Sequence, residues 1–308
     1  MNELSEKVKV SIDRLKAFEP KNGEGYYLAF SGGKDSVVIK ALAIMAGVKY
    51  DAHYRVTSVD PPELVHFIEQ KHPDVHRDVP RYADDYKNEN LAGKPITMWN
   101  LIPEKMIPPT RIARYCCEKL KEKGGDGRMG ITGVRWAESS NRKINQGIVS
   151  MYGKKTGLQD DANFAQTVRG GVVLVNDNEE SRRMVEQCYK RSKTIVNPII
   201  EWTDRDVWEF IKTENIPYCG LYECGFKRLG CIGCPLAMTK GREVEFAMWP
   251  KYKDAYFRAF DKMLRRRQEK GKIDLSWRMG TTAKDIFNWW MEYDILPGQT
   301  KMFDEVEE

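Results

Sequence analysis

The stretch "YYLAFSGGKDSVVIK", residues 26–40, decides how this chain is read. Residues 26–30 are apolar or aromatic and read as a short buried strand closed by a glycine turn. Residues 34–47 read as a helix ending at Gly47, a C-terminal stop signal. Between them lies Ser31-Gly32-Gly33-Lys34-Asp35-Ser36. A glycine-rich turn between strand and helix is the setting of a phosphate loop. Gly32 and Gly33 can take φ > 0 and let backbone approach a ligand. The N–H groups of the turn and of the helix start then point at anionic oxygens. Lys34 adds positive charge, and Ser31 and Ser36 add hydroxyls. Asp35 either caps the helix or holds Mg2+ against a pyrophosphate.

Working outward, the segment before the loop, residues 3–18, has helical apolar spacing. After it, "DAHYRVTSVD" reads as a second strand and "PPELVHFIEQKHP" as a helix. Strand, helix, strand, helix implies βαβ units and a parallel sheet. Residues 129–134 read as a further strand. Residues 140–192, polar and glycine-rich around "GGVVLVN", read as an insertion of hairpin type. "TIVNPIIEWTDRDVWEFIKTENI" gives an extended piece and a helix capped by Thr203, with Asp206 three residues on. The final seventy or so residues look helical and aromatic. The expected architecture is α/β: a Rossmann-like parallel sheet flanked by helices, with a cysteine-cluster segment and a helical C-terminal extension. The expected division is an N-terminal helix at 1–24, a nucleotide-binding domain at 25–215, and the cysteine and helical region at 216–308.

Composition excludes little. Of the 308 residues, 41% are hydrophobic and 31% charged, and the net charge of +5 permits an anionic ligand or nucleic acid without demanding one. No apolar run approaches the roughly eighteen residues of a membrane span. "MNELSEKVKVSIDRLKAF" has no apolar core of a secretory signal, so a cytoplasmic setting without membrane partners is expected. Seven cysteines in such a chain argue against a disulfide framework. Cys231-x2-Cys234 is a local clamp, with Gly230 and Gly233 giving backbone freedom. Two sets could complete a site: Cys116 and Cys117, or the local Cys219 and Cys224. By spacing, a structural zinc and an iron–sulfur cluster suit equally. Cys188 reads as an incidental thiol, and the four histidines show no metal pattern.

The hexapeptide at 31–36 resembles the PP-loop of the N-type ATP pyrophosphatases, the adenine nucleotide alpha-hydrolases. "GVRWAESSNR" (133–142), "RYCCEKLK" (114–121) and the stretch 197–235 ending in "GCIGCP" resemble the phosphoadenylyl-sulfate (PAPS) reductase branch of that superfamily. The resemblance covers roughly residues 25–240. It implies that the loop grips a pyrophosphate, with chemistry at the α-phosphate. It implies catalytic or binding roles for Lys34, Asp35, Arg135 and Arg142. Two guanidiniums after a strand end can hold phosphate or sulfate oxygens, or form salt bridges with Glu138. Asp60, at the end of the second strand, would meet ribose or metal, or cap its turn. The resemblance also favours Cys116, Cys117, Cys231 and Cys234 as ligands of a 4Fe–4S cluster, as in the adenylyl-sulfate reductases, with zinc the alternative. Mg2+ would accompany ATP.

The reductases of this branch carry a catalytic cysteine in a C-terminal ECGLH-like segment. In this sequence no cysteine follows Cys234. The relatives with the loop and cluster but without that element include DNA phosphorothioation ATPases and tRNA thiolation enzymes. The expectation is therefore adenylation-dependent sulfur transfer to nucleic acid, DNA or tRNA, with a cysteine desulfurase as partner. The alternatives are a genuine reductase that takes a thiol from elsewhere, such as Cys224 or thioredoxin, and a non-catalytic nucleotide-binding protein. "KMLRRRQEKGK" (262–272), with Trp289 and Trp290, reads as a basic patch with aromatics to stack on bases, or as a solvated helix face.

Overall fold

Gly47 adopts φ 67° and returns its N–H to the carbonyl of Ile44, which ends helix α2 (Lys34–Ala46) at the expected glycine. The computed structural model describes residues 3–122, 124–152, 164–167, 172–174, 193–272 and 281–293. Cys188 and residues 294–308 lie outside the described residues.

Two compact units divide the chain. The first comprises Met1–Tyr54, Pro62–Asp78 and Gly124–Leu229; the second comprises Arg55–Pro61, Val79–Lys123 and Gly230–Glu308. The N-terminal helix therefore belongs to the first unit, and residues 79–123 belong with the C-terminal helices.

The first unit is built on one sheet. Its strands are β1 (Tyr26–Ala29), β2 (Tyr50–Arg55), β3 (His76–Asp78), β4 (Gly130–Ile131), β5 (Val149–Tyr152), β6 (Phe164–Gln166), β7 (Val172–Leu174) and β8 (Lys193–Val196). Among the described residues their order is β3-β2-β1-β4-β8-β5-β7-β6. β1 runs parallel to β2 and β4, and β4 parallel to β8; Leu28 stands opposite both Ala52 and Ile131. β5 then joins β8 antiparallel, and β7 and β6 continue antiparallel. The insertion at 140–192 thus contributes strands that extend the parallel sheet. The chain leaves β1 toward β2 on one side and returns through β4 on the other. The carboxyl end of β1 is the switch point where open α/β sheets bind ligands, and residues 31–36 occupy it.

Helices α1 (Glu3–Ala17), α3 (Pro62–Lys71), α5 (Ser140–Asn145) and α6 (Asp204–Thr213) complete this unit. The capping box expected at α6 is present: Thr203 Oγ1 accepts the Asp206 N–H, and Asp206 accepts the Thr203 N–H at 2.7 Å. α2 is apolar nearly all round, with Val37, Val38, Ile39, Leu42 and Ala43 at most 1% exposed. That pattern fits a helix covered on more than one side, here by α1 and α6. The strand expected over 129–134 pairs only at Gly130 and Ile131. Beyond it, Thr132 still donates its N–H to the Val196 carbonyl at 3.1 Å, and Thr132, Gly133 and Val134 line a cleft.

The second unit is helical: α4 (Met98–Lys105), a π-helical turn at Cys117–Glu122, α7 (Met238–Met248), α8 (Pro250–Glu269) and α9 (Ala283–Met291). Its core is aromatic. Tyr256, Phe260, Phe287 and Trp290 are buried, with the Tyr256 and Trp290 ring centroids 4.8 Å apart. This corrects one expectation. Trp290 is fully buried and donates from Nε1 to the Pro109 carbonyl at 2.7 Å, so it has no face to offer a base. In the basic patch, Arg266 is paired with Glu104 at 2.6 Å and Arg267 donates to the Met106 carbonyl, so both guanidiniums anchor α8 to its own unit. Among the described residues no helix is long and apolar enough to cross a membrane.

Candidate functional site

The loop at 31–36 is shaped by two close approaches. Gly32 has φ 73°, and a Cβ there would lie 2.7 Å from Leu64 Cδ1 and 2.9 Å from Ile68 on α3. Only glycine meets both demands. Gly133, after β4, comes so near α2 that a Cβ would stand 2.8 Å from the Cβ of Asp35. Gly33 is the N-cap of α2 and supplies no side-chain cap; the Ser36 hydroxyl donates back to its carbonyl at 2.8 Å. α2 therefore begins at the edge of a cleft of about 240 Å3. Ser31, Gly33, Lys34, Asp35 and Ser36 line one wall, and Gly133, Glu138, Arg142, Tyr222 and Arg228 line the others.

Asp35 does not cap α2. Its Oδ1 accepts from Arg135 Nε at 2.7 Å. Arg135 is 1% exposed, and its other nitrogens donate to Asp204 at 2.6 Å and to the Trp202 carbonyl at 3.2 Å. The guanidinium expected to hold a ligand's oxygens is instead the internal strut that ties α2, the β4 exit and the start of α6 together. Lys34 is also buried, with its ammonium 3.5 Å from Asp204, 3.8 Å from Asp35 and 3.3 Å from the Lys227 carbonyl. The Asp204 carboxyl is held below its ordinary range: burial opposes the shift, but Arg135 and Lys34 outweigh it.

Arg142 lines the cleft as expected and also forms an ion pair with Glu138. The ion pair is the salt bridge with Glu138 that the sequence left open. Glu138 Oε1 additionally lies 3.5 Å from Arg228. Sequence reasoning passed over Arg228 and Tyr222. Their only signal was a position just before the cysteine clamp, and only folding brings residues 222–229 onto the loop at 31–36.

Asp60, expected to meet the nucleotide, belongs to the second unit. It is buried, accepts the Thr57 N–H at 3.1 Å, and stands 4.0 Å from Cys231 Sγ. Its carboxylate closes its own turn beside a thiol.

The second unit gathers Cys116, Cys117, Cys231 and Cys234 around one cavity, with Thr57, Lys121 and Tyr256. Helix α7 and α8 clamp the C-x-x-C turn. The Gly233 N–H donates to Glu245 at 2.7 Å, and the Tyr256 hydroxyl donates to the Ile232 carbonyl at 2.9 Å. Gly233 has φ 73°, and a Cβ would strike Phe246 at 2.7 Å. Cys117 opens the π-helical turn with Cys116 directly before it, and Arg114 donates to Cys117 Sγ at 3.6 Å. Lys121 lines the same cavity, where the neighbouring Cys231, against the cost of burial, favours its charged form. Cys117 is the readier of the adjacent pair to ionise, favoured first by the Cys116 thiol and also by Arg114. Burial pushes the Cys231 thiol up to about 11. Cys116, Cys231 and Cys234, whose pKa values are raised, hold protons that a metal must displace.

Among the described residues no three His, Cys, Asp or Glu side chains converge on a single ion. Four soft thiols round one cavity are the donor set that an iron–sulfur cluster or a zinc ion takes. Cys219 is buried and Cys224 exposed; both belong to the first unit and neither lines this cavity.

Comparison with known proteins places these features. A model of the phosphoadenosine phosphosulfate reductase domain matches residues 25–237. Two uncharacterised proteins of Methanocaldococcus jannaschii are 26% and 24% identical over 85% and 99% of this chain. The chain spans 45% and 61% of their respective lengths. The adenosine 5'-phosphosulfate reductase of Neisseria meningitidis is 38% identical over 17% of this chain and 22% of its own. Among solved structures, the PAPS reductase of Candida auris in a phosphate complex aligns over 75% of this chain and 96% of its own, with TM-score 0.40 and 13% identity. The FMN adenylyltransferase of Candida glabrata aligns over 75% and 64%, with TM-score 0.41 and 15% identity. With the family model covering more than half of its length, the chain belongs to the phosphoadenosine phosphosulfate reductase domain family.

Proposed function

We propose that this protein is an ATP pyrophosphatase of the alpha-hydrolase type that acts in adenylation-dependent sulfur transfer, with nucleic acid, DNA or tRNA, as the acceptor. The observation that carries this is the loop at the β1 switch point. Its glycines bring the α2 N-terminus to a cleft that also holds Lys34, Arg142 and Arg228. Backbone donors and a helix dipole favour a bound pyrophosphate. Arg142 and Arg228 can leave Glu138 for phosphate oxygens as charge-assisted partners. Lys34 is engaged with Asp35 and Asp204, so it serves by balancing these two carboxylates and keeping the loop's field positive. Asp35, held on one oxygen by Arg135, would face the Mg2+ that accompanies ATP.

The thiols of Cys116, Cys117, Cys231 and Cys234 fit a 4Fe–4S cluster, which when bound would supply a sulfur-handling or structural centre. Cysteine desulfurase is the partner class that this chemistry requires for sulfur supply. With ATP and Mg2+, AMP and pyrophosphate are the expected products. Release of ADP and phosphate instead would sink the proposal. Reduction of an adenylyl sulfonucleotide, with a thiol from thioredoxin, is the second reading. The matched family favours it, and sulfite release would decide for it.

A further inference from the structure

The Lys34 N–H, the first donor of α2, is not left pointing into an open loop. It donates to the phenolic oxygen of Tyr222 at 2.8 Å. That oxygen also stands 3.5 Å from where a Cβ on Gly33 would lie, so it is at the floor of the loop, and Tyr222 lines the cleft. The ring is fixed from behind. It packs edge-on to Trp208 of α6 with centroids 5.0 Å apart, and the Lys34 ammonium lies 5.9 Å from the ring centroid. A phenol that accepts one hydrogen bond still has a proton to donate. Among the described residues that proton meets no acceptor. Accepting from a helix N-terminus polarises the hydroxyl and strengthens it as a donor.

We propose that Tyr222 is a ligand-contacting residue of this cleft: its hydroxyl relays the Lys34 N–H and donates its own proton to a phosphate oxygen of the nucleotide bound at residues 31–36. The inference rests on the reading of the loop as a pyrophosphate site, and it names a contact that the loop sequence does not contain. Burial raises the tyrosine's pKa, so the proton remains available at neutral pH. The rival geometry is a plug, in which the hydroxyl occupies the place of a phosphate oxygen and must leave before the nucleotide binds. The two differ in sign.

The test is calorimetric titration of the full chain with pyrophosphate and with ATP, for wild type and Tyr222→Phe, with adenosine as the control. Phenylalanine keeps the ring against Trp208, so the fold is retained, and thermal unfolding checks this. The relay predicts about a tenfold loss of affinity for pyrophosphate and ATP, the scale of one hydrogen bond to a charged group, with adenosine unchanged. Equal or tighter pyrophosphate binding by Tyr222→Phe overturns the relay while leaving the loop reading intact. A wild-type protein that binds neither pyrophosphate nor ATP overturns the loop reading, and the relay with it.

Discussion

Arg135 Nε meets Asp35 Oδ1 at 2.7 Å across one hundred residues of sequence, and the arginine is almost wholly enclosed. This pair fixes the carboxylate of the phosphate loop from beneath. Arg135→Ala would leave Asp35 with only the Lys34 ammonium, 3.8 Å away; losing one partner of a buried pair typically costs about 3–5 kcal/mol. Asp35 and Asp204 keep some contact with water, so the lower end, about 3 kcal/mol, is expected in urea unfolding. Arg135→Lys should recover only part, since a compact ammonium lacks the planar fork whose separate nitrogens reach Asp35, Asp204 and the Trp202 carbonyl. A loss below about 1 kcal/mol would show that the strut is not structural.

Gly32 carries two constraints at once. Gly32→Ala places a β-carbon in the left-handed region, about 1–2 kcal/mol, and drives it into Leu64 and Ile68 of α3. A lower melting temperature is expected together with loss of pyrophosphate binding. Gly127→Ala shares a positive φ but has open space, so it should leave binding unchanged. Equal binding by both variants would contradict the packing argument.

Arg228 reaches the cleft from the segment that precedes the cysteine clamp. Arg228→Ala should weaken pyrophosphate about five- to tenfold, the scale of a charge-assisted contact at an accessible site. The variant should unfold at the wild-type temperature, because the side chain is 69% exposed. Unchanged affinity would confine Arg228 to its surface pairing with Glu138.

His72 gives a pH dependence with a definite sign. Burial, and then the Lys40 ammonium 3.2 Å away, lower its pKa from 6.5 to about 4. Between those values the unfolded chain binds the extra proton. Stability from this residue is therefore full above pH 6.5, is lost as pH falls toward 4, and levels off below. The span is about 3 kcal/mol. Urea midpoints measured from pH 7 to 4 should fall more steeply for wild type than for His72→Asn. Parallel curves would show that the imidazole is charged in the folded state.

Anaerobic purification should give a brown protein with about four irons and matching sulfide. Cys117→Ser and Cys231→Ser should remove the colour, and Cys219→Ser with Cys224→Ser should leave it. A colourless protein with one zinc that depends on Cys219 and Cys224 would instead support the local ligand set.

Short-range features were legible in the sequence: the loop between strand and helix, Gly47 as a stop, and the Thr203–Asp206 box each depend on neighbours within a few residues. The parallel sheet followed from the alternation of strands and helices. What the sequence hid was set by long-range packing. Arg135 stands in a motif that looks ligand-directed, and only the approach of Asp204 and the Trp202 carbonyl turns it inward. Asp60 follows a strand end as a ligand contact would, yet its carboxylate turns back onto Thr57. Trp290 looked like a stacking surface until α8 and α9 enclosed it. Tyr222 and Arg228 could not be found, because nothing local in "LYECGFKRLG" shows that it folds onto a loop nearly two hundred residues earlier.

Cleavage between the α- and β-phosphates is the step on which the proposed chemistry depends. Purified protein with ATP and Mg2+ alone, in water enriched in 18O, gives the reading. Attack at the α-phosphorus places the label in AMP and leaves pyrophosphate unlabelled, and that is the outcome expected here. Label in inorganic phosphate or pyrophosphate, with ADP or unlabelled AMP beside it, would mean that the loop at residues 31–36 directs attack elsewhere and that this chain is not an alpha-hydrolase.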